Sequence, residues 1–131
     1  MYRAVLEGTA YAIRSNLDAM RKAGAKIDYV IAVGGGASND LWLQMVSDVS
    51  GISQIVPKKT IGACYGDAFM AGLAVGAVGG LEALKRDWVR IAREITPDAG
   101  KKAHYDQFYQ LFRDLYTRSK EVVHRLAELQ G

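Results

Sequence analysis

Residues 31–42 read Ile31-Ala32-Val33-Gly34-Gly35-Gly36-Ala37-Ser38-Asn39-Asp40-Leu41-Trp42. An apolar run therefore ends in three consecutive glycines, and a helical pattern starts within a few residues. Glycine reaches backbone torsions that other residues avoid, and it leaves space for a ligand close to the main chain. The unpaired N–H groups in the first turn of the next helix suit an anion or the polar edge of a ring. The stretch is a candidate nucleotide site, although a tight strand-to-helix turn without a ligand gives the same pattern.

The spacing of apolar residues around this stretch predicts an α/β order of helices and strands. The predicted elements are a helix from Tyr2 to Arg21 ended by Gly24, a fully buried strand at 29–33, a helix capped by Ser38 or Asn39 and ended by Gly51, and a second strand at 52–56 closed by Pro57. Strands joined in this way run parallel through right-handed crossovers. Such sheets bind ligands at the carboxyl ends of their strands, which is where the glycines lie.

The second half of the chain predicts two more helices. Residues 63–78 combine glycines and alanines with aromatic side chains, which predicts a buried helix with a strand or a nucleotide close to its backbone. Cys64 lies in this pattern and is expected to be a small buried side chain. Residues 81–95 fit either a helix or a strand. From His104 onward, the helical spacing predicts a long C-terminal helix whose aromatic stripe is a packing face.

Composition and charge limit the function classes. The 131 residues form at most one domain or part of one, and half of them are hydrophobic. The net charge of +3 is spread along the chain, which argues against nucleic acid as a partner. One cysteine, no signal peptide and no membrane-spanning run predict a cytoplasmic protein without a membrane partner. His104 and His124 have no partner at ligand spacing, so neither is expected to be a metal ligand or a base.

Two features indicate that the sequence is part of a longer fold. The first helix opens at residue 2 with no capping residue in front of it. Two strands are also too few to cover helices that are this apolar. We therefore expect further strands from a longer natural chain or from a partner. Without them, we expect two copies to associate as a two-fold dimer through the strand edge or the uncovered face.

Several motifs carry a resemblance to a known family. They are Arg3-Ala4-Val5-Leu6-Glu7-Gly8, Gly34-Gly35-Gly36-Ala37, Leu41-Trp42-Leu43-Gln44-Met45-Val46-Ser47-Asp48-Val49 and Gly66-Asp67-Ala68-Phe69-Met70-Ala71-Gly72. Together they resemble the carboxyl-terminal domain of the FGGY carbohydrate kinases, with residues 1–131 as the carboxyl-terminal part of that ATP-binding domain. The tail is most similar to xylulose kinase-like members at Trp88, Pro97-Asp98, His104-Tyr105, Tyr109 and Leu115-Tyr116.

The resemblance implies a partial ribonuclease H-like domain of the actin-like ATPase superfamily, with ATP on this domain and the sugar mainly on an amino-terminal one. The implied site residues are Gly34, Gly35, Gly36 and Ala37 behind the adenosine, Asn39 at the adenine and Gly66 beside the nucleotide. Asn39 can equally be a plain helix cap. Asp67 stands where the family most often has alanine, and we interpret it as a hydrogen-bonding or helix-amino-end carboxylate.

The resemblance also places the catalytic aspartate and the acidic groups that position Mg²⁺ upstream of this sequence. No catalytic residue or metal ligand is therefore expected in the chain, although phosphoryl transfer needs both. We expect the ATP-binding portion of a kinase for a sugar, such as the ketopentose xylulose, that is inactive by itself and depends on ATP, Mg²⁺ and an amino-terminal sugar-binding domain. The alternatives are a free-standing nucleotide-binding or regulatory module without catalysis, and a structural module that uses the aromatic helix.

Overall fold

The computed structural model describes residues 1–129, which form four α-helices and three strands. They are α1 (Tyr2–Lys22), β1 (Tyr29–Ile31), α2 (Asp40–Ser50), β2 (Ser53–Pro57), α3 (Ala63–Ala74), β3 (Ile91–Ile95) and α4 (Lys102–Glu128). The predicted order is confirmed. With 27 residues, α4 is the predicted long C-terminal helix, about 40 Å in length. No helix in this described range is both long and apolar enough to cross a membrane.

The three strands form a mixed sheet in the order β1-β2-β3. β1 and β2 run parallel, with Ile31 opposite Ile55, as predicted. β3 runs antiparallel to β2, with Ile95 opposite Gln54. Residues 81–95, which fit both a helix and a strand in the sequence, contain both: a single π-helical turn comes first and β3 follows it.

The core lies between α1, α2 and α4 and is built around aromatic rings. The ring of Tyr11 on α1 lies 6.4 Å from that of Tyr105, 6.3 Å from that of Tyr109 and 5.6 Å from that of Phe112. The prediction of a packing face is therefore confirmed for the first half of α4. The second half packs on no other element to this extent within residues 1–129, and its aliphatic side chains, such as Leu115, are exposed.

Three predictions of burial are wrong, and they share one cause. The helix predicted over 63–78 buries a single side chain, that of Phe69. Cys64 is exposed, and β1 is not fully buried, since Ile31 is 54% exposed. Alternate side chains of a strand face opposite sides of a sheet. Because α1 and α2 cover one side, the side that faces α3 stays largely open among the described residues.

The turn that follows α3 explains why residue 72 is a glycine. The helix ends at Ala74, four residues earlier than predicted, because the N–H groups of Ala77 and Val78 donate to the carbonyl of Gly72 at 2.8 and 3.2 Å. A Cβ on Gly72 would lie 2.8 Å from a methyl group of Val78. The close approach at this position therefore comes from Val78, and not from a strand or a nucleotide.

Candidate functional site

The glycine triplet forms a tight turn between β1 and α2. Gly34 has a φ of +82°, where a side chain would be strained. Its N–H donates to the carbonyl of Thr60 at 2.6 Å, which ties the loop before α3 to this turn. The N–H of Ala37 donates to the carbonyl of Gly34 at 3.1 Å, and the Ser38 hydroxyl donates to the carbonyl of Gly35 at 2.9 Å. The turn therefore keeps its shape through its own hydrogen bonds.

Asn39 is the capping residue of α2. Its side-chain oxygen Oδ1 accepts a hydrogen bond from the backbone N–H of Trp42 at 3.1 Å, so the cap interpretation is confirmed. An amide side chain also carries two N–H donors. The nitrogen Nδ2 of Asn39 donates to no protein group within residues 1–129. The cap and the ligand contact are therefore compatible, because the oxygen holds the helix and the NH₂ group remains available.

A cleft of about 440 Å³ opens between the glycine turn and α1. Its lining residues are Leu6 and Thr9 of α1, Gly35, Gly36 and Ser38 of the turn, and Asn39 and Trp42 of the capped helix start. None of these side chains is charged, and the hydroxyls of Thr9 and Ser38 donate to backbone carbonyls near them in sequence. A phosphate is usually held by cationic side chains. This lining therefore suits a neutral ring with hydrogen-bond acceptors better than it suits a phosphate.

The structure brings only part of the predicted site together. Gly35, Gly36 and Asn39 line the cleft. Ala37 does not, because it lies beneath the turn, 4% exposed, in a core cluster with Leu43. Its contribution is to anchor the turn on the core.

Gly66 lies in a different place from the glycine turn. It lines a second cavity of about 200 Å³ on the α3 side of β1, together with Val33, Tyr65 and Trp88. The ring of Tyr65 lies 4.9 Å from that of Trp88, so this cavity has an aromatic wall. The two predicted parts of the site are thus separate cavities on either side of the strand end.

The described part of the chain offers no metal site and no catalytic carboxylate in either cavity. No group of three His, Cys, Asp or Glu side chains within it could hold a metal ion. Asp67 is exposed and follows the first turn of α3, so its interpretation as a helix-amino-end carboxylate is wrong, and its side chain accepts no hydrogen bond from residues 1–129. The two histidines lie beside aromatic rings: the ring of His104 is 4.8 Å from that of Phe108, and the ring of His124 is 6.4 Å from that of Tyr116. Neither belongs to a group of metal-binding side chains among the described residues.

Four residues of the cleft are absent from the predicted site, namely Leu6, Thr9, Ser38 and Trp42. Leu6 and Thr9 lie three residues apart and therefore share one side of α1. For Trp42, the sequence pattern indicates only the apolar face of α2. The signal that distinguishes it is its position three residues after the Asn39 cap, which puts it in the first turn of the helix beside the glycines.

Known proteins match nearly the whole chain. The model of the FGGY family of carbohydrate kinases, C-terminal domain, matches residues 1–75. The xylulose kinase of Bacillus subtilis (strain 168) is 30% identical over 120 residues, which are 92% of this chain and 24% of that protein. The glycerol kinase 2 of Saccharolobus solfataricus is 34% identical over 118 residues, which are 89% of this chain and 23% of that protein. The chain thus spans about a quarter of the length of these curated relatives.

Solved structures agree with this match. The crystal structure of xylulose kinase from Rhodospirillum rubrum has a TM-score of 0.77 at 28% identity, over 94% of this chain and 25% of that one. Ligand-bound xylulose kinase from Lactobacillus acidophilus has a TM-score of 0.79 at 19% identity, over 92% of this chain and 24% of that one. At this low identity, the similarity is evidence for the fold alone. The predicted fold class, a partial ribonuclease H-like domain of the actin-like ATPase type, is confirmed.

Proposed function

Because this chain belongs to the FGGY family of carbohydrate kinases, we propose that it forms the ATP-binding portion of a kinase that transfers the γ-phosphate of ATP to a sugar hydroxyl. The observation that carries the proposal is the neutral cleft over the glycine turn. In the reaction, ATP supplies the phosphoryl group. The role of the described residues is to bind and orient its adenosine half.

The cleft fits an adenosine in three respects. A Cβ on Gly35 would meet no protein atom within 4 Å, so the backbone there is open to a ligand. The free NH₂ group of Asn39 can donate to a ring nitrogen. The apolar parts of Leu6 and Trp42 complete the lining, as is usual for a small-molecule site. The phosphates would then lie outside the cleft.

The described residues do not fit a Mg²⁺ site or a general base, because no carboxylate lies in the cleft and no cluster of metal-binding side chains is present among them. Phosphoryl transfer requires both. We therefore assign the base, the metal ligands and most of the sugar site to a further domain, which corresponds to the remaining length of the relatives. Residues 1–131 are then the carboxyl-terminal part of the ATP-binding domain. The cytoplasmic location of the protein stays a prediction.

The sugar that we propose is a ketopentose such as xylulose. The proposal is supported by the similarity to xylulose kinases and by the aromatic pattern of the tail. Sequence identity does not decide the acceptor, because the glycerol kinase is as similar as the xylulose kinase. A phosphorylation assay on the intact natural protein, comparing D-xylulose with glycerol, tests this part. Faster turnover of glycerol would contradict it.

A free-standing nucleotide-binding or regulatory module is the second candidate, and the same cleft supports it. The two candidates differ in phosphoryl transfer and not in nucleotide binding. Turnover of any sugar by the intact natural protein favours the kinase. Nucleotide binding without turnover, in a protein that has no further domain, favours the module.

The binding step itself can be tested on the chain as it stands. We expect isothermal calorimetry to detect ADP and adenosine with similar affinities, because the cleft has no cationic side chain for the phosphates. Inorganic pyrophosphate is the matched control and should neither bind in the cleft nor compete with adenosine. Binding of pyrophosphate without binding of adenosine would show an anion site instead, and would contradict the proposal.

A further inference from the structure

The indole of Trp42 separates two cavities at the glycine turn. On one side, Trp42 lines the cleft together with Gly36 and Asn39. On the other side, it lines a cavity of about 280 Å³ between β1, α1 and α2, together with Val30 and Leu43. The indole belongs to both core clusters as a partly buried side chain. A ligand in the cleft therefore meets this ring before it reaches the core.

Contact with Trp42 explains why residue 36 is a glycine. Gly36 does not have a positive φ, unlike Gly34, so its torsions do not require glycine. A Cβ on Gly36 would lie 3.0 Å from Nε1 and 3.1 Å from Cδ1 of Trp42, tighter than nine in ten real Cβ contacts, so the indole would have to shift by a few tenths of an ångström. The N–H edge of the indole therefore rests against the backbone of the turn. The position of the ring and the shape of the turn depend on each other.

The indole N–H has no hydrogen-bond partner in the described part of the chain. Trp42 is partly buried, and Nε1 is not among the buried polar atoms that lack a partner, so solvent still reaches it. An indole nitrogen is a donor only. The backbone N–H of the same residue is held by the Asn39 side chain. Two side-chain donors in the first turn of α2, Asn39 Nδ2 and Trp42 Nε1, thus have no protein partner among the described residues, and both residues line the neutral cleft.

We propose that Trp42 is a ligand-contacting residue of the nucleotide site, and that its indole N–H donates a hydrogen bond to an acceptor atom of the bound nucleoside. This inference rests on the proposed function, since it requires that a nucleoside enters the cleft. The ring also bears on specificity. A donor pair formed by Asn39 and Trp42 favours a base or ribose that offers two acceptors on one edge.

Fluorescence offers a direct test, because the sequence has only two tryptophans, Trp42 and Trp88. In Trp88→Phe, all indole emission comes from Trp42. We expect ADP to shift this emission and to protect Trp42 from quenching by acrylamide. We also expect Gly36→Ala in the same background to change the emission without any ligand, because its Cβ displaces the indole.

Affinity gives the second measurement. Trp42→Phe keeps an aromatic ring but lacks the donor, and we expect its Kd for ADP, measured by calorimetry, to rise by about threefold to tenfold, the usual value of one hydrogen bond. The matched control is Tyr116→Phe, which removes an aromatic donor on the exposed half of α4 and should leave the Kd unchanged. Circular dichroism checks that both variants fold. If Trp42→Phe does not fold, acrylamide protection in Trp88→Phe decides the question alone.

The outcomes separate this inference from the function on which it rests. Protection of Trp42 together with a raised Kd in Trp42→Phe supports the inference. If calorimetry detects ADP but the emission and quenching of Trp42 do not change, the inference is wrong and the nucleotide site stands. If calorimetry detects neither ADP nor adenosine, the proposed function and the inference both fail.

Discussion

The side chain of Lys101, the residue before α4, is paired with that of Asp48 of α2, with Nζ of Lys101 2.9 Å from Oδ2 of Asp48. The Asp48 side chain is only 3% exposed, and its other oxygen accepts hydrogen bonds from the N–H of Asp98 at 2.9 Å and from the Gln44 amide at 2.7 Å. Three donors from two parts of the chain thus converge on one buried carboxylate. The contact fixes the start of α4, and it thereby holds the aromatic stripe of α4 against Tyr11.

Replacing Asp48 by asparagine should destabilise the chain. The amide side chain would keep one acceptor but lose the charge that Lys101 and the Asp98 N–H contact, so we expect the free energy of unfolding to fall by about 1–3 kcal/mol. Urea unfolding followed by circular dichroism measures this change. Asp114→Asn is the matched control, because Asp114 is exposed and forms no ion pair in the described part of the chain. Equal effects of the two substitutions would contradict a specific role for Asp48.

The same carboxylate predicts acid sensitivity. Burial would raise the pKa of Asp48, but the Asp98 N–H, the Gln44 amide and the Lys101 ammonium outweigh burial and lower it. A depressed pKa in the folded state gives stability that is present above the unfolded value, about 3.9, and is lost as the pH falls through the folded value. Unfolding free energies measured from pH 7 to pH 2.5 should therefore fall below about pH 4. The difference between the wild type and Asp48→Asn should shrink over the same range, and a difference that stays constant to pH 2.5 would contradict this account.

The parts of this fold that the sequence predicts are those whose signals are local. Gly51, with a φ of +67°, ends α2, and Asn39 caps it, because both effects act within one helical turn. The aromatic stripe from Tyr105 to Phe112 likewise depends only on helical spacing. At these residues, the local structure is determined by neighbours in the sequence.

Burial and site geometry could not be predicted in the same way, because they depend on partners distant in sequence. α3 is apolar on most sides, but its burial requires a layer that residues 1–129 do not supply. Trp42 enters the cleft because Gly36 leaves room for its indole and because Leu6 and Thr9 of α1 close the other side. Periodicity within α2 identifies an apolar position there, but not the cavity that it faces.

Replacing Gly35 by valine should weaken nucleotide binding without unfolding the chain. The φ of Gly35 is not positive, and a Cβ there meets no protein atom within 4 Å, so the added methyl groups would occupy the cleft itself. We expect the Kd for ADP to rise about tenfold or more, as when one methyl-sized group blocks a pocket. Gly79→Val is the matched control, because it is equally open and lies far along the chain from the turn. A large loss of melting temperature in Gly35→Val alone would indicate misfolding instead.

Two substitutions at Asn39 separate its roles as cap and as ligand contact. Asn39→Ala loses both, and we expect the unfolding free energy to fall by about 1 kcal/mol and the affinity for ADP to fall as well. Asn39→Asp keeps a strong capping oxygen but removes the NH₂ donor. It should therefore preserve the melting temperature while it raises the Kd for ADP. If Asn39→Ala lowers the melting temperature and neither variant changes the Kd, Asn39 is only a cap.

Self-association through the edge of β1 is the last expectation. β1 is hydrogen-bonded to β2 on one side only, so within residues 1–129 its other edge has no partner strand, and Ile31 is exposed beside it. Free edges of this kind pair with other chains, and an identical patch on two copies favours two-fold symmetry. Light scattering over a dilution series should therefore detect a dimer at micromolar concentration.

Ile31→Lys should shift this dimer toward the monomer, because a charge at an edge opposes strand pairing. Leu115→Lys, on the exposed half of α4, is the matched control and should leave the dimer intact. The opposite order of effects would place the interface on α4, and a monomer at every concentration would show that this edge does not pair.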